Sequence, residues 1–447
     1  MFEYMTIREL YELAYNGSEL EKDAIQYVEL QGWVRINRDN GSIGIIELND
    51  GTYFKNAQLV YLKDNNIYEL AKKYSTGTAL TVMGKLVFTP DGKHPFEIQV
   101  KELKLEGKCD DDYPLQKKTD DFETVKNSLH LRPRANTFMA VYRVRSALSM
   151  AVHEFFQSQG FLHVNPPVIT RNDFEDIKEI YDNQTSLNLS GQFCAETFAL
   201  AFRDVYTFAP NFNMEKLNMV GDANDFWIIE PEIAFADLED DMLLAEDLVK
   251  YCIDYVFENC KEEMNFLNNM SDYELIEGLK KNADKEFKRM EYTEAIEALK
   301  DAVSNGVDFK CKNIYWGMTL EGEHEKYICE SIVGGPVFLI NHPKETKPFY
   351  ARVNDDGKTV ATCDLLVPFI GKLVCGSQRE ERYDYLIKRM KEDKMDLETL
   401  NWYADLRRFG GCKHAGFAIG FEKFVMYITG VQNIKDVLPF PVVFKKL

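Results

Sequence analysis

The chain has 447 residues, a formal net charge of −20 and a hydrophobic content of 45%. Its length predicts two or three domains, and its apolar content is enough for sizeable cores, which excludes general disorder. No apolar run approaches the roughly eighteen residues that a membrane-spanning helix needs, and the first residues do not resemble a secretory signal. We therefore expect a cytoplasmic protein with no membrane partner. The acidic balance argues against non-specific nucleic-acid binding but allows a local basic face.

The cysteines are informative by their number and spacing. There are nine of them, an odd count, and no two are spaced as C-x-x-C. This pattern favours buried thiols in a reducing compartment over disulfides or a zinc site.

Residues 27–105 have the texture of a small β-domain. Segments with period-two alternation are separated by turn signals such as Asn49-Asp50-Gly51. The five segments are Val28–Val34, Ser42–Leu48, Ala57–Tyr61, Ala79–Phe88 and Phe96–Leu105. With one helical segment, Ile67–Tyr74, before the fourth strand, they predict a barrel of the oligonucleotide/oligosaccharide-binding (OB) type. A generic five-stranded barrel fits the same pattern. A short amphipathic helix should precede it within residues 1–25.

The rest of the chain predicts an α+β fold. Apolar residues at helical spacing from Val141 to Phe155 predict a helix that ends at Gly160, followed by a strand at residues 161–170. Residues 241–310 read as a helical insertion. Beyond them, strands do not alternate regularly with helices, which favours an antiparallel sheet with flanking helices over a doubly wound parallel fold.

The expected domains are an OB-type domain at 1–105, a hinge at 106–130 and an α+β domain at 131–447.

Several long segments resemble the bacterial asparaginyl-tRNA synthetases, a family of class II aminoacyl-tRNA synthetases. They are GWVRINRDN, HLRPRAN, WIIEPEIAFADL, GSQREERYD and YITGVQNIKDVLPFP. The similarity runs from Leu30 to Pro441. It implies an anticodon-binding barrel followed by a class II synthetase core, with ATP and Mg²⁺ as cofactors. It also implies asparagine or a related amino acid and the tRNA for asparagine (tRNA-Asn) as partners, and a homodimer.

The resemblance implies an amino-acid pocket with three positioned side chains. Ser190-Gly191-Gln192 corresponds to the family's S-G-Q, whose glutamine receives the substrate ammonium group. Glu196 is expected to accept a hydrogen bond from the asparagine amide nitrogen, and Arg379 to donate one to the amide oxygen. A donor and an acceptor on one amide are the minimum needed to tell asparagine from aspartate, because a wrong substrate leaves buried groups unpaired.

The positions that hold the nucleotide depart from the family pattern. Asn213 stands where the family's motif 2, F-R-x-E, has its arginine, and Gly221 and Asp222 stand where the family has R-H. Lys372 replaces the magnesium-binding carboxylate of G-E-I-I-G-G, and Lys423 replaces the arginine of motif 3, G-F-E-R. A lysine cannot reproduce a planar guanidinium stacked on adenine. We interpret these positions as a substituted ATP site and assign no catalytic residue.

Three residues of the family's nucleotide site are retained. They are Glu215, Phe226, which is placed to stack on adenine, and Asp364, the expected ligand if Mg²⁺ binds. The loop that normally closes over the amino acid is compressed to residues 171–177, which predicts a more open pocket. The tail, Pro439 to Phe444, lacks another arginine of the family.

The barrel keeps the family's anticodon-reading positions. Phe54 and Gln58 lie where the family stacks on and hydrogen-bonds to anticodon bases, and we expect Phe54 on the strand face of the barrel. Arg35 and Arg38 are expected to meet phosphates. The alternative is that Phe54 packs in the barrel and both arginines are solvated. Pro167, after the motif 1 helix, matches the segment that forms the class II dimer.

Three functions remain open on the sequence. The main hypothesis is a paralogue that keeps the asparagine pocket and the barrel but no longer makes an adenylate in the usual way. The second is a working asparagine–tRNA ligase whose lysines replace the missing charges. The third is an asparagine-forming or other amide ligase on the same core, which also needs ATP.

Overall fold

The structure, a computed structural model, describes most of the chain in two compact units, Met1–Ala140 and Val141–Leu447. The described residues are 2–64, 66–90, 92, 94–115, 125, 128–170, 180–182, 185–187, 190–212 and 225–441. The predicted hinge at 106–130 lies partly outside them.

The first unit is built on one sheet that closes into a barrel. Its strand order is β1-β2-β3-β4-β6-β5, and an additional pairing of β2 with β5 closes strands β2 to β6. The strands are β1 (Glu3–Tyr4), β2 (Tyr27–Asp39), β3 (Ile43–Asn49), β4 (Ala57–Leu62), β5 (Ala79–Phe88) and β6 (Phe96–Gly107). The five-stranded OB-type barrel is thus confirmed, because each predicted segment lies inside an observed strand or begins one residue before it.

The described residues of the first unit include three short α-helices, and the first two begin with a capping box. They are α1 (Ile7–Asn16), α2 (Glu19–Ala24) and α3 (Tyr68–Ala71), and residues Leu129–Arg134 form a 3-10 helix. The sequence predicted one helix before the barrel, but Ser18 starts a second one. Its hydroxyl accepts from the Glu21 N–H while the Glu21 carboxylate accepts from the Ser18 N–H, which is a capping box.

The barrel interior follows from strand alternation. Along β4, Ala57, Leu59 and Tyr61 point inward and are fully buried, while the residues between them are partly exposed. Gly44 on β3 lies against the Tyr61 ring, and a Cβ at Gly44 would come within 1.9 Å of it. The glycine therefore lets Tyr61 cross β3 and donate to the Asn37 side chain at 2.9 Å.

The second unit is built on an eight-stranded, mainly antiparallel sheet. Its order is β13-β14-β15-β16-β17-β12-β11-β7, with parallel pairing only for β13 with β14 and β11 with β7. The strands are β7 (Leu162–His163), β11 (Asp204–Phe212), β12 (Asp225–Ala234), β13 (Lys288–Glu291), β14 (Val337–Pro343), β15 (Thr359–Val367), β16 (Gly371–Gln378) and β17 (His414–Gly420). A small sheet joins β8 (Ile169–Thr170), β9 (Ile180–Asp182) and β10 (Thr185–Leu187). The expected α+β class is confirmed.

Helices flank this sheet. They are α4 (Asn136–Ser158), α5 (Gln192–Phe202), α6 (Leu238–Asn259), α7 (Lys261–Met270), α8 (Leu275–Ala283), α9 (Tyr292–Ser304), α10 (Gly322–Tyr327), α11 (Tyr383–Glu392), α12 (Asn401–Arg408), α13 (Phe421–Thr429) and α14 (Ile434–Val437). A π-helical turn spans Ile328–Val333, and a 3-10 turn spans Lys344–Thr346. No helix in the described ranges is both long and apolar enough to cross a membrane.

Two local predictions need correction. The strand expected at residues 161–170 is split into β7 and β8, because Pro166 and Pro167 cannot donate ladder hydrogen bonds between them. The helical insertion expected at 241–310 contains α7, α8, α9 and most of α6, and it also contributes one strand that was not predicted, β13, to the edge of the main sheet. The β13 sequence, K-R-M-E, is mostly charged and has no apolar alternation, so the strand could not be predicted from the sequence pattern.

Candidate functional site

Two buried glutamates on one strand organise the candidate site. Glu230 and Glu232 are two residues apart on β12, so both side chains lie on the same face of the sheet. Their exposed fractions are 3% and 0%. Ionisable side chains are almost never fully buried unless they have partners. Each glutamate accordingly has a distinct set of partners.

Glu230 is held by the segment that begins helix α5. It accepts hydrogen bonds from the Ser190 hydroxyl, the Gly191 N–H at 2.7 Å and the Thr207 hydroxyl at 3.1 Å. A Cβ at Gly191 would lie 2.8–2.9 Å from Thr207 and Glu230, so only glycine allows this approach. Burial raises the pKa of Glu230, and the three hydrogen bonds offset part of this effect.

Gln192 lies beside this arrangement at the first turn of α5. Its side chain is buried, and its Nε2 has no hydrogen-bond partner within the described part of the chain. A 180° flip of the amide exchanges the nitrogen and the oxygen, so the same position can present an acceptor. A buried amide with an unused polar atom is suited to a ligand.

Arg379, the residue that follows β16, forms an ion pair with Glu232. Its Nε donates to Glu232 Oε2 at 3.2 Å, its Nη2 pairs with Oε1, and its Nη1 donates to the Ser377 hydroxyl at 2.5 Å. Burial lowers the pKa of Arg379, but Glu232 outweighs burial and the net shift is upward. These contacts use three of the five guanidinium N–H groups, so the charge is fixed in place while donors remain for a ligand.

Glu196 is enclosed by a second buried network. Its carboxylate lies 2.6 Å from the Arg407 guanidinium and 2.8 Å from His414 Nε2, and it accepts from the Tyr403 hydroxyl at 2.7 Å. Burial raises the pKa of Glu196, but Arg407 and His414 outweigh it, so the pKa lies well below its usual range. Glu196 has no exposed surface in this conformation. Its predicted contact with the asparagine amide stays a prediction, and the geometry makes Glu196 an anchor for helix α12.

Asp364 is engaged by lysines. Lys347 Nζ donates to its two oxygens at 2.8 and 2.7 Å, and Lys372 Nζ lies 3.6 Å from Oδ2. His342 Nε2 lies 3.3 Å from the same oxygen, and the Cys375 thiol donates to Oδ1 at 3.2 Å. Burial raises the pKa of Asp364, but Lys347, His342 and Lys372 outweigh it and hold the pKa well below its usual range. The retained carboxylate is therefore already charge-balanced by the protein.

The motif 3 segment contributes a buried carboxylate next to its lysine. Glu422 accepts from Arg145 at 2.7 Å and from the Trp227 N–H at 2.9 Å, which joins helix α13 to α4 and β12. Lys423, the next residue, is exposed. Phe226 is partly buried on β12, opposite Asn211 on β11.

Several predicted residues lie outside the described part of the chain. They are Asn213, Glu215, Gly221, Asp222, the loop 171–177 and residues 442–444. Pro167 lies in the described segment between β7 and β8. Its dimer role stays a prediction.

In the barrel unit, the predicted RNA-binding residues occupy different settings. Phe54 is partly buried in the connection between β3 and β4, so the expectation that it lies on a strand is wrong. The Asn49 side chain holds this connection by donating to the carbonyls of Tyr53 at 3.2 Å and Phe54 at 3.5 Å. Gln58 lies on β4 and donates to Glu97 at 3.4 Å. Arg35 donates to the Arg134 carbonyl, and burial lowers the pKa of Arg35.

Sequence reasoning missed most partners of the predicted site. They are Glu230, Glu232, His342, Lys347, Tyr403, Arg407 and His414. The two glutamates could have been found, because E-P-E alternates acidic residues on one face of an apolar strand. The other five had no local signal, since each meets its partner only through the fold.

Comparison with known proteins agrees with this architecture. The family model described as "tRNA synthetases class II (D, K and N)" matches residues 121–443, and that described as "OB-fold nucleic acid binding domain" matches residues 28–106. The chain is 46% identical to the asparagine–tRNA ligase of Bacillus cytotoxicus over 95% of this chain and 96% of that protein. It is 48% identical to the asparagine–tRNA ligase of Acetivibrio thermocellus over 93% of this chain and 94% of that protein.

The fold has solved counterparts as well. Asparaginyl-tRNA synthetase from Pyrococcus horikoshii, complexed with asparaginyl-adenylate, matches with a TM-score of 0.83 and 28% identity. The match covers 94% of this chain and 96% of that one. The chain belongs to the asparaginyl-tRNA synthetase family of class II aminoacyl-tRNA synthetases.

Proposed function

We propose that this chain is an asparagine–tRNA ligase, which activates asparagine with ATP and transfers it to tRNA-Asn. The observation that carries the proposal is the buried Arg379–Glu232 pair beside the Ser190–Glu230 arrangement. Together these contacts fix hydrogen-bond donors and acceptors in place on one face of the sheet before any substrate binds. The similarity to curated asparagine–tRNA ligases over nearly the whole chain supports it and favours it over a non-adenylating paralogue.

The pocket has the chemistry to select a side-chain amide. The remaining Arg379 N–H groups can donate to the amide oxygen, and the Gln192 amide can accept from the substrate ammonium group. Glu230 supplies a further acceptor next to Gln192. An aspartate side chain lacks the N–H donors of asparagine and adds a negative charge beside buried glutamates. We infer that asparagine is preferred for these two reasons.

ATP is proposed as the co-substrate, since the solved relative from Pyrococcus horikoshii holds an asparaginyl-adenylate. The Mg²⁺ that the family uses does not fit at Asp364, the metal ligand expected from the sequence, because the ammonium groups of Lys347 and Lys372 both lie against its carboxylate. No group of three side chains suited to a metal occurs among the described residues.

The remaining assignments follow as proposals from the same function. The barrel unit binds the anticodon loop of tRNA-Asn through Phe54 and Gln58, and Arg35 is proposed to contact phosphate. The chain forms a homodimer through the segment with Pro167 and acts in the cytoplasm. The domain boundaries are proposed as 1–105, 106–130 and 131–447.

One observation favours the paralogue as a second candidate. A lysine stands over Asp364, where the family has a carboxylate. A protein that binds asparagine but makes no adenylate needs no metal-binding carboxylate at this position, so a lysine there would be tolerated. An asparagine-forming amide ligase is not favoured by any contact in the site.

Asparagine-dependent exchange of pyrophosphate into ATP tests the proposal. We expect exchange with asparagine and at most trace exchange with aspartate. The paralogue predicts that asparagine raises the melting temperature, since a ligand of the folded state stabilises it, while no exchange occurs. That combination would overturn the proposal.

A further inference from the structure

One lysine lies between two buried carboxylates beside the candidate site. Lys372 Nζ is 3.6 Å from Asp364 Oδ2 and 3.6 Å from Glu325 Oε1. The Lys372 backbone N–H also donates to Glu325 Oε2 at 3.0 Å. The side chains of Asp364 and Glu325 are 7% and 11% exposed, while that of Lys372 is 32% exposed. The ammonium group thus covers both acids on their solvent side.

The position of Lys372 is built into the hairpin that joins β15 and β16. Gly371, with φ +81°, lies so close to Glu325 that a Cβ would come within 2.9 Å of its carboxylate. Phe369 also has a positive φ, 69°, and its ring stacks on Tyr273 with 3.9 Å between centroids. Its N–H donates to Glu330 at 2.7 Å. A non-glycine residue in this backbone region persists only where its surroundings hold it.

Two carboxylates that converge on one point form the kind of oxygen site that hard divalent cations prefer. Here an ammonium group occupies that point. Lysine is a compact point charge with three donors, so it can neutralise both acids without a metal. Lys347 donates to both oxygens of Asp364, so the two lysines balance the two acids.

We propose that Lys372 replaces a protein-bound divalent cation in this chain, so that Asp364 and Glu325 bind no metal. The proposal deepens the proposed function. Only its consequence for the use of ATP rests on that function; the absence of metal binding at Asp364 and Glu325 does not. Under it, Mg²⁺ enters the site solely as the companion of the ATP phosphates. The protein itself keeps a permanent cation at this position.

Binding of Mn²⁺ to the full chain, measured by electron paramagnetic resonance without nucleotide, asparagine or tRNA, tests the inference. The single variant Asp364→Asn should give the same Mn²⁺-binding isotherm as the wild type. Lys372→Glu should create a site that binds Mn²⁺ about tenfold or more tightly than any site in the wild type. Adding Asp364→Asn to Lys372→Glu should remove that site. The matched control is Lys300→Glu, which places a second acid beside exposed Glu297 and should gain no such site.

The inference is overturned if wild-type Mn²⁺ binding depends on Asp364, or if Lys372→Glu gains no more than Lys300→Glu. Should Lys372→Glu fail to fold, Lys372→Gln replaces it, since it removes the charge and keeps a similar side chain. Its melting temperature should then rise in Mg²⁺ relative to chelator, and more than that of the wild type; an equal rise also overturns the inference. None of these measurements requires activity, so they stand apart from the test of the proposed function.

Discussion

The carboxylate of Glu196 and the guanidinium of Arg407 lie 2.6 Å apart, and neither side chain has any solvent exposure. Tyr403 and His414 complete the shell around the same carboxylate. Helix α5, helix α12 and strand β17 therefore share one buried charge pair. This relationship separates two roles for Glu196, that of reading the substrate and that of anchoring the pocket wall.

Glu196→Gln should destabilise the protein, because it leaves the Arg407 charge buried without its counter-ion. Loss of one partner of a buried ion pair costs about 3–5 kcal/mol in the free energy of unfolding. Urea unfolding measures the change. The control is Glu297→Gln, which removes an exposed partner of Lys300 and should change stability by about 0.5 kcal/mol or less. Unchanged stability with lost asparagine binding would assign Glu196 to substrate reading instead.

Arg379→Lys should damage asparagine activation. A lysine cannot reproduce the two-point contact with Glu232, and it leaves that glutamate poorly paired in a buried site. We expect kcat/KM for asparagine in pyrophosphate exchange to fall about 30-fold or more. Arg382→Lys is the control, since Arg382 forms an ion pair with a different glutamate, Glu380, two residues before it in the chain. If both variants lose activity equally, the Arg379 contact has no special role.

Acidification should release the stabilisation that Asp364 provides. Burial raises its pKa, but Lys347 and its other partners outweigh burial, so the pKa is lower in the folded protein than in the unfolded chain. The unfolded state therefore binds more protons, and stability that is complete above a pKa of about 4 is lost as the pH falls below it. Urea midpoints between pH 7 and pH 3 should fall less steeply in Asp364→Asn than in the wild type. Parallel curves would refute this assignment.

Phe54→Ala should weaken binding of tRNA-Asn. Stacking of an aromatic side chain on a base contributes about 1–3 kcal/mol, which is roughly a fivefold to 150-fold loss in affinity. Filter binding at fixed salt gives the comparison, with Leu62→Ala as a control at an exposed apolar position on the same barrel. An unchanged affinity for Phe54→Ala would mean that the ring only packs in the β3–β4 connection.

The sequence was most informative where local physics decides the structure. Alternation and turn residues located all five barrel strands, and helical spacing located α4. It failed where a partner is distant in the chain. Glu196 meets Arg407 and His414 more than 200 residues away, and nothing near any of the three signals this contact. Lys372 was recognised as a departure from the family, but its bridge to Glu325 emerged only from the hairpin geometry.

Transfer of radiolabelled asparagine to tRNA tests the proposed function most directly. The full chain is incubated with ATP, Mg²⁺ and either tRNA-Asn or a tRNA with another anticodon, and acid-precipitable label is counted. An asparagine–tRNA ligase should charge tRNA-Asn in an ATP-dependent way and leave the other tRNA uncharged. Absence of charging by a folded chain that still binds asparagine would contradict the account and leave the non-adenylating paralogue.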